Sequence, residues 1–271
     1  MFPYIKISDY SIPMYSILSL AGVFLAVFYY LSSRRKSNFP EADGELVILY
    51  SLIGAFLGAK LLFLLTVLPE LIEEIPFLFS QTERFLEKYL YSGFVFFGGL
   101  YGILLASYLY CRICRLDFSE CIRLLFPMIP LAHAFGRLGC FCMGCCYGRR
   151  VSFGIEFSDS PVAPNNIPLL PVQLIEAAAE LALFVLSAFM ARRGSSGYRI
   201  LGAWLISYGM LRFILEFFRG DDYRGFLGIL SISQIISAFT ILLGIWIIVR
   251  SFSHHDSSAP QKMSDDNNCE K

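Results

Sequence analysis

The chain has 271 residues, of which 56% are hydrophobic and only 16% charged, and its 22 basic residues balance 22 acidic ones. Soluble domains are about 25% charged and about 45–50% apolar, so this composition excludes an ordinary soluble domain. The zero net charge removes the bulk-electrostatic case for nucleic-acid binding. Aromatic residues make up 16% of the chain, and such rings suit lipid contact and membrane interfaces.

The first apolar run, from Ser11 to Leu31, is followed by Arg34, Arg35 and Lys36. It is too long for a signal-peptide core and lacks a small-residue cleavage site, so it reads as a retained span. Apolar runs near the ~20 residues needed to cross a bilayer place seven spans at roughly 11–32, 45–67, 94–112, 121–143, 172–191, 200–218 and 228–249. The segment from Pro69 to Tyr91 mixes Glu73, Glu74, Glu83, Arg84, Glu87 and Lys88 with Leu and Phe. That mixture predicts an amphipathic helix lying at the interface. Residues 149–171 are polar, with prolines at 161, 164, 168 and 171, and read as a loop. The fold expected is all-α integral membrane: about seven transmembrane helices with an interfacial amphipathic segment. Residues 1–250 form one transmembrane domain, and 251–271 a short polar tail without fixed structure.

Short-loop lysines and arginines set orientation. With the N-terminus outside, twelve basic residues fall inside, seven outside, and Lys60, Arg137 and Arg212 lie within spans. The expected topology is N-terminus out and C-terminus cytoplasmic, in a bacterial inner membrane. Arg149, Arg150 and Arg219 break the pattern on the outer side.

A cation near a span centre costs about 2.5–3.5 kcal/mol on insertion scales, so Arg137 and Arg212 need partners or a wet cavity. The carboxylates within spans are Glu176, Glu180 and Glu216. Tyr208, Arg212, Glu216 and Arg219 recur at intervals of three or four, making a polar stripe on one helix face. The stripe fits a structural ion pair. It also fits a cavity for a lipid phosphate, since a guanidinium grips phosphate oxygens as a fork.

Four residues before Arg137 is His133, on the same face. It suits either a general base or a structural histidine. Cys140, Cys142, Cys145 and Cys146 follow, with Gly148 placed to end the helix. Cys142, Cys145 and Cys146 sit at i, i+3 and i+4, but no second Cys/His pair with zinc-finger spacing accompanies them. The thiols are therefore expected to pack as small polarizable groups instead of binding metal.

The run Gly136-Arg137-Leu138-Gly139-Cys140-Phe141-Cys142-Met143-Gly144-Cys145-Cys146-Tyr147-Gly148 resembles the prolipoprotein diacylglyceryl transferase signature Gly-Arg-x-Gly-Asn-Phe-x-Asn-x-Glu-x-x-Gly. The likeness continues in Tyr15, in Gly98-Gly99-Leu100, in Pro171 to Glu176 with Gln173 between them, and in Tyr208-Gly209, Arg212 and Glu216 to Arg219. It implies a seven-span helical enzyme that needs no metal or soluble cofactor. Such an enzyme takes a diacylglyceryl group from phosphatidylglycerol and joins it to the lipobox cysteine of a prolipoprotein as a thioether. By resemblance Arg137, Arg212, Glu216 and Tyr15 are catalytic, with His133 added from the residues themselves. Arg137, Arg219, Gly98, Gly99, Gln173, Glu176, Gly148 and Cys140 are implied to bind substrate. The sequence departs from the family where Cys140, Met143 and Cys145 replace two asparagines and a glutamate, and where Phe97 replaces a histidine proposed as base. A related transferase with the same donor and another acceptor, or a lipid-binding protein without activity, are the rival readings.

Overall fold

The computed structural model describes residues 3–7, 10–36, 39–77, 81–91, 93–221 and 226–256. The chain opens with an antiparallel hairpin of β1 (Tyr4–Ile7) and β2 (Tyr10–Pro13), so the first span starts at Met14 instead of residue 11. Helix α1 covers Met14–Ser33, and α2 covers Glu41–Thr66 with Glu41 and Asp43 in its first turn. Those acidic side chains favour a helix N-terminus.

The expected amphipathic helix is broken into shorter pieces: α3 (Leu68–Glu74), a 3₁₀ turn over Ile75–Phe77, α4 (Thr82–Leu86) and a π turn over Glu87–Tyr91. Pro76 cannot continue a helix, because it lacks the N–H and crowds the preceding turn. Lys88 ties the pieces together through Glu74 at 2.9 Å and Glu70 at 3.3 Å.

Helix α5 covers Phe96–Ile113. The fourth expected span is two helices, α6 (Phe118–Leu125) and α7 (Met128–Met143), separated at Phe126-Pro127. Asp117 caps α6 by accepting from the Ser119 N–H at 2.8 Å. Gly144, at φ +75°, ends α7, four residues before the Gly148 expected to do so. A left-handed residue closes a helix at least strain when it is glycine.

The expected loop after α7 contains β3 (Arg150–Glu156) and β4 (Pro168–Leu169), paired antiparallel. Phe157, Ala163 and Leu169 form a small core beneath them. Helix α8 (Val172–Arg192), α9 (Gly197–Glu216), the pair β5 (Phe226–Leu227) and β6 (Leu230–Ser231), and α10 (Ile232–Asp256) complete the fold. The final helix thus runs six residues into the expected polar tail, and residues 257–271 lie outside the described residues.

Among the described residues six helical stretches, with α6 and α7 taken as one, are long and apolar enough to cross a membrane. They match six of the seven expected spans. The other, α9, is long enough with 20 residues but carries Arg199, Arg212 and Glu216 and falls outside that apolar set. It packs against α10, α6 and α8, and Ile200, Leu201, Trp204, Leu205 and Tyr208 belong to the largest buried cluster, with Phe97 and Leu100 of α5.

Helix pairing follows the small residues. Gly54 and Gly58 of α2 face Gly102 and Gly98 of α5: a Cβ on Gly58 would lie 2.3 Å from the Gly98 carbonyl oxygen, and one on Gly54 2.4 Å from that of Gly102. Such contact lets two backbones approach where lipid offers no hydrophobic drive to association.

Candidate active site

Four helix ends meet at one end of the bundle. The start of α1, the end of α7, the start of α8 and the end of α9 bring Tyr15, Arg137, Gln173, Glu176, Arg212 and Glu216 to the same end of the bundle. The loop between α7 and α8 seals the arrangement. Gly148 N–H donates to the Leu170 carbonyl at 3.0 Å, Arg149 N–H to Phe218 at 2.8 Å, and Gly220 N–H to Tyr147 at 3.0 Å. A Cβ on Gly148 would lie 2.5 Å from the Leu170 oxygen, so Gly148 serves this backbone contact.

At the centre is a chain of buried polar groups. Arg137 donates through Nη2 to Glu176 Oε1 at 3.0 Å and through Nε to His133 Nε2 at 3.2 Å. His133 Nδ1 meets Glu180 Oε1 at 2.8 Å, and Trp204 Nε1 donates to Glu180 Oε2 at 3.2 Å. The Tyr208 hydroxyl donates to Glu176 Oε1 at 3.2 Å. Glu176 and Glu180 are 1% and 0% exposed, and buried charges persist only when paired in this way.

The network decides how His133 is used. Its Nε2 accepts from a guanidinium, so the ring proton is on Nδ1 and points at Glu180. Neither nitrogen is left to take a proton from a substrate, and the ring face is stacked on Phe96 at 3.7 Å between centroids. Bonded in this way, His133 holds Arg137 in place against Glu176. Phe97 offers no alternative: it is 3% exposed and packs on the Tyr208 ring.

Arg212 pairs with Glu216 at 3.0 Å, and Arg219 reaches the same Glu216 oxygen at 3.9 Å. Arg219 also forks onto Asp221, with Nε to Oδ1 at 2.8 Å. Burial works against the Arg219 charge, but the Asp221 hydrogen bonds outweigh it and hold the guanidinium above its ordinary pKa. Arg212 is only 5% exposed, yet its Nη1 has no hydrogen-bond partner among the described residues. Gln173 is similar: its Nε2 donates to the Cys145 carbonyl at 2.7 Å, while the buried Oε1 has no partner among the described residues.

The other expected site residues divide. Tyr15 packs on Gly139, where a Cβ would lie 3.0 Å from the Tyr15 Cα. It borders Cys140, Cys145 and Arg137. Gly98 and Gly99 face α2: a Cβ on Gly98 would lie 2.3 Å from the Gly58 oxygen, whereas one on Gly99 would make ordinary contact with Ala55 and Ala59. Because α7 stops at Gly144, Cys142 is separated from the group its spacing suggested. The thiols brought together are those of Cys140, Cys145 and Cys146, within 4.8 Å of one another.

Sequence reasoning missed Trp204, Phe96 and Asp221. Trp204 was within reach, since it extends the Tyr208–Arg212–Glu216 stripe one turn back. Phe96 and Asp221 carried no signal of their own.

Fold and site define a multi-pass helical membrane enzyme whose buried arginines and carboxylates gather at one end of the helix bundle. The sequence profile described as prolipoprotein diacylglyceryl transferase matches residues 3–250. A Clostridium tetani phosphatidylglycerol–prolipoprotein diacylglyceryl transferase is 34% identical over 235 residues, covering 86% of this chain and 90% of the relative. The corresponding Rickettsia felis protein is 31% identical over 256 residues, covering 91% and 95%. A second transferase of this name from Clostridium perfringens is 29% identical over 226 residues, covering 83% and 85%. The chain belongs to the prolipoprotein diacylglyceryl transferase family.

Proposed function

We propose that this chain moves the diacylglyceryl group of phosphatidylglycerol onto the lipobox cysteine thiol of a prolipoprotein, forming a thioether and releasing glycerol phosphate. The names of its relatives support the donor and acceptor classes. The observation that carries the reading is the buried Nη1 of Arg212, without a hydrogen-bond partner among the described residues, beside the Arg137–Glu176 pair. A phosphate oxygen satisfies that donor. Arg137, Arg212 and Arg219 then stabilise the second negative charge that develops as the phosphate leaves, which is where preorganised donors act most strongly. In this reading the buried Gln173 Oε1 accepts from a head-group hydroxyl.

With the N-terminus outside and the C-terminus cytoplasmic, the site opens to the outer face, where an exported prolipoprotein presents its cysteine. The replacements at Phe97, Cys140, Met143 and Cys145 favour, as second reading, a transferase with the same donor and another acceptor. Purified protein with labelled phosphatidylglycerol and a lipobox peptide tests the first. Labelled thioether peptide is the expected product. Turnover of the donor without peptide labelling overturns the acceptor, and no turnover overturns the reaction.

A further inference from the structure

A thiol must lose its proton before it attacks carbon, and neither the position of the family histidine nor His133 offers a free base. Phe97 has no titratable group, and both nitrogens of His133 are bonded to Arg137 and Glu180. At the same face stand three cysteines that this reaction has not used. Cys140 lies in the last turn of α7, and Cys145 and Cys146 follow Gly144. Their sulfurs lie within 4.8 Å of one another. Tetrahedral zinc with Zn–S bonds of about 2.3 Å sets sulfurs roughly 3.8 Å apart, so the trio needs to close by about 1 Å or less. Cys146 holds φ at +57°, a conformation uncommon for a residue with a Cβ and found often at functional sites. All three residues are partly accessible.

We propose that Cys140, Cys145 and Cys146 hold a zinc ion whose fourth ligand is the thiol of the acceptor. This deepens the transfer reading above and rests on it. Three thiolates and Zn²⁺ carry one net negative charge, and Arg137 and Arg219 lie close enough to Cys146 to offset it. Catalytic zinc sites keep three protein ligands and one open position, and a coordinating thiol is deprotonated outright. On binding, the acceptor S–H gives its proton to water and its sulfur joins the metal. The sulfur lone pair then attacks the glyceryl carbon bearing the phosphate ester. The carbon–oxygen bond breaks, and its electron pair leaves with glycerol phosphate between the arginines. The neutral thioether is a weaker ligand and departs, freeing the fourth position. The metal thus supplies what a histidine base would.

The test uses the full chain purified in detergent without chelator. Elemental analysis is expected to find about one zinc per chain, retained in Cys142→Ser and lost in Cys146→Ala. Stripping the wild type with a chelator, which needs no variant to fold, lowers peptide transfer on the order of 10²-fold, the low end of general-base catalysis. Added zinc restores it. Cobalt-loaded protein shows a thiolate-to-metal absorption band that shifts with a lipobox peptide but not with its Cys→Ser form. Peptide transfer by a chain that holds no metal, or a rate unchanged by stripping, overturns the zinc site and leaves the transfer reading intact. A thiol-dependent cobalt shift without transfer supports the site and overturns the reaction instead.

Discussion

Replacing His133 by Gln or by Leu separates positioning from proton removal. Leu leaves the fully buried Glu180 with Trp204 alone and strands the Arg137 Nε–H. Removing one partner of a buried charged pair costs about 3–5 kcal/mol, so His133→Leu unfolds well below the wild type or fails to accumulate. Gln offers both a donor and an acceptor. Its loss is at most about one hydrogen bond to a charged group, on the order of 1.5–3 kcal/mol. A positioning role leaves the His133→Gln rate short of the 10²–10⁴-fold loss, on that order, that follows removal of a general base. Its pH dependence then keeps the wild-type shape from about pH 6 to 9, which brackets the reference values of histidine and cysteine. Single-turnover transfer to a lipobox peptide, beside thermal unfolding of the same samples, measures both quantities. A His133→Gln protein of wild-type stability whose chemical step drops about 100-fold or more, with a flattened pH profile, refutes the assignment made from the hydrogen bonds.

Arg212→Lys keeps a cation beside Glu216 but loses the fork, and transfer is expected to fall on the order of 10²–10³-fold in protein that still inserts; near-normal turnover in the assay removes Arg212 from phosphate binding. Gly98→Ala puts a Cβ 2.3 Å from the Gly58 oxygen, so it lowers the thermal midpoint by overpacking worth about 1–3 kcal/mol. An unchanged midpoint with raised KM would return Gly98 to the substrate site. In the interfacial segment, the Lys88 hydrogen bond holds the Glu74 carboxyl below its ordinary pKa. That contribution is present above the ordinary carboxylate value and disappears as pH falls through the lowered one. Limited proteolysis between Leu68 and Tyr91 should therefore accelerate in acid, and Lys88→Met should show the faster cleavage already at neutral pH.

Composition and run length determined that the protein is helical and lies in a membrane, because a bilayer core rejects unsatisfied backbone over ~20 residues whatever the packing. Periodicity placed Tyr208, Arg212 and Glu216 on one face, since residues three and four apart share a helix surface. The motif order carried the family. Sequence could not tell that the segment after Pro69 breaks, that the loop at 149–171 pairs strands, or that α9 is the most interior helix, because neighbouring elements supply those constraints. It also could not decide what Gly98, His133 and the cysteines do. Gly98 is committed by the approach of Gly58, 40 positions away, and His133 by Glu180 from another helix. The thiols are regrouped by one left-handed glycine at 144. Helical spacing associates Cys142 with Cys145 and Cys146, but once the chain turns there, only distances in three dimensions select Cys140 in its place.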